Sequence, residues 1–140
     1  MGVDTFRNWF DASAYCNERG GYLGSVHSSE ENRWVFELLR LYDWAGRDVW
    51  IGLNDVTVDG TMEWIDGSSN DFTQFAVGRP ASATDNCVVY SANRNGYWYD
   101  VPCTLGLQSM CKYNETLSVA SPGMGTLYQY TFVYNPETNI

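Results

Sequence analysis

Lysine is almost absent from this chain of 140 residues: Lys112 is the only one, and with the arginines it brings the basic total to eight against 17 acidic residues, a net charge of −9. Phosphate recognition needs clustered cations, so no nucleic acid or other polyanion is expected as a partner. No run approaches 18 apolar residues, which excludes membrane insertion by a spanning helix, and the first residues lack the apolar centre of a signal peptide. The chain therefore reads as a mature or recombinant soluble form from which any secretion signal has been removed. Histidine is limited to His27, and none of the four cysteines stands in a C-x-x-C pair, so a zinc site is not expected. What the chain has in quantity is aromatic surface, with six Trp, ten Tyr and six Phe in a composition 44% hydrophobic and only 18% charged, which excludes a disordered or fibrous chain. The length suits one domain spanning 1–140.

An even number of cysteines (Cys16, Cys87, Cys103 and Cys111) in a small, Gly-rich, lysine-poor chain points to two disulfides and an oxidising, extracellular setting. The competing reading is four buried thiols in a cytosolic protein, and four cysteines by themselves allow three pairings. Asn8 can cap a helix running to Gly20-Gly21, with Asp11 as capping-box partner and Trp9, Ala12 and Cys16 along one side. A second helix opens at Ser28, where Ser28 and Glu31 give the S-x-x-E pattern ahead of Trp34, Val35, Leu38 and Leu39. From Val49 the pattern changes to short strands: Val49 to Leu53, Met62 to Ile65, Val88 to Tyr90, Tyr97 to Tyr99 and Gln108 to Tyr113. Asn95-Gly96 predicts a two-residue hairpin turn. Between Asp66 and Asn86 lies a Gly, Ser, Asn, Asp and Pro-rich stretch with Phe72 and Phe75 embedded in it, too long for a simple turn and of the kind that carries function.

These motifs in this order resemble the C-type lectin-like domain over roughly Thr5 to Tyr113. The similar features are Trp9-Phe10-Asp11-Ala12 leading to a helical cysteine, Gly21-Tyr22-Leu23 before the Ser-Ser-Glu-Glu helix, Trp50-Ile51-Gly52-Leu53, and Trp64. Asp85-Asn86-Cys87, Trp98-Tyr99-Asp100-Val101-Pro102-Cys103 and Met110-Cys111 follow. The resemblance implies an α+β fold, two helices flanking antiparallel strands, with the long loop forming the ligand-binding end. It also implies the pairings Cys16–Cys111 and Cys87–Cys103.

Members that bind sugar through calcium hold the ion with a Glu-Pro-Asn or Gln-Pro-Asp triplet and a Trp-Asn-Asp triplet, whose oxygens suit the six to eight ligands of Ca2+. Here the first triplet reads Arg79-Pro80-Ala81 and the second Trp98-Tyr99-Asp100. Only Asp85 and Asp100 remain as matching acidic ligands, and a guanidinium stands where ligands should converge, so the principal calcium-sugar site is expected to be lost. Arg79 is expected either to pair with Asp85 or Asp100 in place of the ion, or to be a solvated loop residue. An auxiliary Ca2+ position is better kept, with Asp55, Asp59 and an oxygen of Asn86; the alternative is that both aspartates are turn residues.

Catalysis is not expected. His27 stands before a helix cap, and Ser28 and Ser29 suit capping better than nucleophilic attack. The preferred reading is an extracellular recognition module that contacts a protein or glycan through Arg79, Asp85, Arg94, Tyr97, Tyr99 and Asp100, since Tyr and Arg are favoured anchors of recognition surfaces. The alternatives are a calcium-dependent lectin with a rearranged site and a structural or assembly domain. Asn114-Glu115-Thr116 is a glycosylation sequon, of use only in a secreting host.

The two ends depart from the resemblance. Family members begin with an aromatic strand ahead of the first helix, whereas Met1-Gly2-Val3-Asp4 cannot supply one. Beyond Tyr113 a connector, 114–125, leads to Thr126-Leu127-Tyr128-Gln129-Tyr130-Thr131-Phe132-Val133-Tyr134, which alternates as a half-buried strand does. In the family fold the first and last strands are antiparallel neighbours. Residues 126–134 are therefore expected to be that first strand, displaced by a circular permutation and paired with Gln108 to Tyr113. A strand exchanged within a dimer gives the same pairing, and a flexible tail or the start of a following domain is the remaining reading.

Overall fold

A computed structural model describes residues 6–41, 48–81, 86–113 and 129–132. The first helix, α1 (Trp9–Glu18), begins where the Asn8 carboxamide oxygen accepts from the Asp11 N–H at 2.8 Å, the first half of the expected capping box. Trp9, Ala12 and Cys16 form its buried side. A two-residue strand, β1 (Tyr22–Leu23), that the sequence pattern does not announce precedes α2 (Ser29–Leu41). At α2 the Ser28 hydroxyl accepts from the Glu31 N–H, and the Glu31 carboxylate accepts in turn from the His27 N–H at 2.7 Å. The return bond thus lands one residue earlier than a capping box places it.

The strands are β2 (Asp48–Asn54), β3 (Glu63–Trp64), β4 (Cys87–Ser91), β5 (Tyr97–Val101), β6 (Gln108–Tyr113) and β7 (Gln129–Phe132). Their order is β1-β6-β2-β4-β5, with β3 on β2 and β7 on β6. All pairs are antiparallel except β2 with β6, which run parallel with Val49 opposite Gln108, so the sheet is mixed rather than uniformly antiparallel. Side-chain alternation splits the interior into two cores. Val49, Ile51 and Leu53 of β2 with Val88 and Tyr90 of β4 join Val35 and Leu39 of α2 on one side. Trp50 and Val89 join Trp9, Ala12 and Leu23 on the other. Strands buried on both faces explain why β2 and β4 read as continuous apolar runs. Two indoles tie the N-terminal segment to this frame, Trp9 donating to the Ile51 carbonyl at 3.0 Å and Trp50 to the Arg7 carbonyl at 2.8 Å.

Both disulfides are as the resemblance implies, Cys16–Cys111 and Cys87–Cys103. The two-residue hairpin expected at Asn95-Gly96 is corrected. Ser91 is opposite Tyr97, and the five residues between them form a 3-10 turn (Ala92–Arg94) closed by Asn95 and Gly96, both at positive φ. The register is fixed by Tyr90 opposite Trp98, buried on the same face, and leaves too many residues for a tight turn. The connector 114–125 lies outside the described residues, as do the outer parts of the stretch 126–134. Its central strand, β7, pairs antiparallel with β6, Met110 opposite Phe132 and Tyr113 opposite Gln129.

Candidate functional site

The long loop is built on Trp98. That indole is fully buried and is met edge-on by Trp64, Phe72 and Phe75 at centroid distances of 5.5, 5.9 and 5.7 Å, so the two loop phenylalanines seat the loop on the core. The backbone follows: the Trp98 N–H donates to the Gln74 carbonyl at 2.9 Å, and the Ala76 N–H donates to the Trp98 carbonyl at 3.0 Å. The loop then turns through Gly78, at φ 84°, and a cis Arg79–Pro80 bond.

Arg79 and Asp100 meet at this point. Nη1 of Arg79 lies 3.0 Å from Oδ1 of Asp100 and donates also to the Asp100 carbonyl at 2.9 Å, while Oδ2 accepts from the Ala81 N–H at 2.9 Å. The Asp100 carboxylate is wholly buried and the Arg79 side chain is 34% exposed, so the contact is a charge-assisted pair with one end shielded from water. Of the two partners expected for Arg79 the geometry gives Asp100; Asp85 lies outside the described residues. The Arg79 and Arg94 guanidinium carbons stand 5.2 and 4.9 Å from the centroid of the Tyr99 ring, within cation–π range. Tyr97, two residues along the same side of β5, is 41% exposed. Arg79, Arg94, Tyr99 and Asp100 are thus brought together at the end of β5, with Tyr97 beside them.

The auxiliary cluster comes together less fully. Oδ2 of Asp55 accepts from the Gly60 N–H at 2.8 Å, and the Asp55 N–H donates to the Asn86 carbonyl at 3.0 Å. Asp55 is buried within its turn, whereas Asp59 is exposed. Among the described residues no group of three or more His, Cys, Asp or Glu side chains is gathered as a metal site.

Two polar centres escaped the sequence reading. Asn32 is a hub: its carbonyl accepts from the Tyr90 hydroxyl at 2.8 Å, its Oδ1 from the Trp98 indole at 2.9 Å, and its Nδ2 donates to the Gly96 carbonyl at 3.0 Å. The available signal was an asparagine three residues before Val35 and seven before Leu39, on the apolar side of α2. The second centre surrounds Lys112, whose buried ammonium reaches the Glu31 carboxylate at 3.1 Å and the Ser25 carbonyl at 3.1 Å. Nearby, burial pushes the Asp66 carboxyl up, but hydrogen bonds from Ser68 and Ser25, helped by Lys112, outweigh it and hold that group below its ordinary value. The hydrogen bond from His27 likewise lowers the exposed Asp71 carboxyl.

A model of the C-type lectin domain matches residues 5–113. Human tetranectin is 32% identical over 113 residues, which make up 76% of this chain and 55% of tetranectin, so the chain spans about half of that relative's length. A calcium-independent type II antifreeze protein has a similar structure, with a TM-score of 0.68 and 30% identity over 79% of this chain and 82% of its own. The carbohydrate-recognition domain of cow CD23, solved in the presence of the oligosaccharide GlcNAc2Man3, gives 0.64 and 29% over 74% and 77%. With the fold, both disulfides and the motif order in agreement, the chain belongs to the C-type lectin domain family, whose members are binding proteins rather than enzymes.

Proposed function

We propose that this domain is an extracellular recognition module that binds a protein or glycan through the long-loop face without the family's principal calcium ion. The observation that carries this reading is the Arg79–Asp100 pair. A cation site needs converging oxygens, and here a guanidinium approaches the carboxylate that would supply one, while a backbone N–H occupies the second carboxylate oxygen. The donor set does not fit a divalent cation at that point. Described protein groups tie the loop to β5 here, and Arg94, Tyr97 and Tyr99 beside them form a contact surface of residue types that dominate binding energy. The calcium-independent antifreeze relative is consistent with a member of this fold working without the ion. Two disulfides support an oxidising compartment, and no described helix is long and apolar enough to cross a membrane.

A glycan array run with and without EDTA tests the proposal. Binding that survives EDTA and is lost on Tyr97→Ala with Arg94→Ala supports it; binding abolished by EDTA overturns it in favour of a calcium-dependent lectin with a rearranged site. At the auxiliary position Asp55 serves as a turn residue, holding the Gly60 N–H, and Asp55, Asp59 and Asn86 are assigned no metal role in this reading.

The same reading holds residues 126–134 to be the family's first strand displaced to the C-terminal side. Its support is the antiparallel register of β7 against β6 within one chain.

A further inference from the structure

A cleft of about 290 Å3 is lined by residues of α2, the long loop, β4 and the turn before β5. Its inner wall is Asn32 and Tyr90, and both are immobilised. The Tyr90 hydroxyl donates to the Asn32 carbonyl, the Asn32 side chain is held by the Trp98 indole and the Gly96 carbonyl, and Gly96 packs so close to Tyr90 that a Cβ there would lie 2.7 Å from the hydroxyl oxygen. Phe36, half-buried, gives the cleft an apolar surface. Gln74, Asn95 and Ser29, carried by the long loop, the turn before β5 and α2, are its other polar lining residues.

Arg33 completes the lining and is its one charged residue. It is exposed and makes no ion pair or hydrogen bond among the described residues, although Glu30 and Glu37 lie three residues before and four after it on the same helix. Glu37 is taken by Arg40 at 2.8 Å. Glu30 is not part of the cleft; it lines a second hollow that shares Ser29 and Arg33 with this one. The cleft therefore offers one uncommitted guanidinium, two amides and a hydroxyl, and an aromatic face, on a rigid wall. A guanidinium matches a carboxylate bidentately, amides both donate to and accept from hydroxyls, and an aromatic ring takes the C–H face of a pyranose. A single positive charge suits a single carboxylate and not a polyanion, in keeping with the overall negative charge of the chain.

We propose that this cleft is a second, metal-free binding site for one carboxylate-bearing sugar residue, with Arg33 holding the carboxylate, Gln74 and Asn95 the ring hydroxyls, and Phe36 the apolar face. The site bridges α2 and the long loop and shares no lining residue with the proposed contact surface on β5, although Asn95 adjoins Arg94.

Chemical-shift titration of the isotope-labelled chain in EDTA tests it, with glucuronate and glucose as probes. Glucuronate is expected to move the Arg33 backbone amide and the side-chain amides of Gln74 and Asn95, and to bind about tenfold or more tightly than glucose. Arg33→Met, at an exposed position and expected to leave the melting temperature unchanged, is expected to bring glucuronate down to the level of glucose. Phe36→Leu should weaken both sugars. Equal affinity for the two probes, shifts confined to Tyr97 and Tyr99, no shift at all, or an Arg33→Met variant that still prefers glucuronate overturns the assignment. On the glycan array Tyr97→Ala with Arg94→Ala reports the β5 surface and Arg33→Met reports the cleft, so either proposal can fail without the other.

Discussion

Arg79 ties the long loop to β5 through a charge-assisted pair whose carboxylate end is buried. Its pair with Asp100 closes the path from the long loop to β5, and the Ala81 N–H adds a second tie to the same carboxylate. Removing the guanidinium takes away a charge-assisted hydrogen bond to a buried carboxylate, so Arg79→Ala is expected to cost about 1–3 kcal/mol. The loosening should concentrate in the loop, with faster hydrogen exchange at the Ala81 amide and little change at the β2 and β4 amides. Unchanged exchange at Ala81 would contradict this. A second residue-scale expectation concerns Gly52. Its N–H donates to the Gly24 carbonyl and its carbonyl accepts from the Ile65 N–H, so the chains close in on both sides. A Cβ would sit 2.7 Å from the Leu23 carbonyl oxygen, a backbone atom that cannot swing aside. Gly52→Ala is therefore expected to destabilise by about 1–3 kcal/mol, read from urea unfolding, and a neutral result would show that β1 can shift away.

At the level of elements, β7 is the test of chain order. Deleting residues 126–140 removes one of the two neighbours of β6 along Met110–Tyr113, the other being β1, and is expected to prevent folding or to produce aggregation through the bared edge. A truncated chain that stays monomeric and equally stable sinks the permutation; a dimeric full-length chain favours strand exchange. The segment from Ser25 through Asp66 to Ser68 makes a pH prediction. The folded state holds the Asp66 carboxyl below its ordinary value of 3.8, so its contribution to stability is present above about pH 4 and is lost as the pH falls through the lower folded value. Asp66→Asn should flatten the acid limb of the melting-temperature profile; a variant as acid-sensitive as the parent would contradict the role. Much of this level was legible in the residues. The helix starts at Asn8 and Ser28 announced themselves by capping chemistry, and β6 by its bounds. Arg79 opposite Asp100 was legible as one of two pairings. The loop before β5 was not legible, because its length depends on the register between Tyr90 and Trp98, a property of two strands together. The same holds for Asn32, whose three bonds reach residues 58 to 66 positions away.

For the molecule as a whole, the two disulfides divide the labour unequally. Cys16–Cys111 spans 95 positions and Cys87–Cys103 spans 16, so constraint of the unfolded chain gives about 5 and about 3 kcal/mol. Together these are comparable to the whole stability of a domain of this size. The Cys87→Ser, Cys103→Ser double variant is expected to fold with a lowered melting temperature, whereas removing Cys16 and Cys111 should abolish folding at 37 °C. Calcium should matter far less: a rise of about ten degrees in melting temperature in millimolar Ca2+ would contradict the metal-free reading. The solitary lysine has a consequence for chemistry done on the protein. Its ammonium is enclosed with Glu31 and Ser25 where β6 meets the start of α2, and there is no other lysine to compete for reagent. Acylating agents should therefore leave every side chain untouched at the amine while the fold is closed, and the appearance of acyl-Lys112 becomes a clock for how often this corner of the sheet opens.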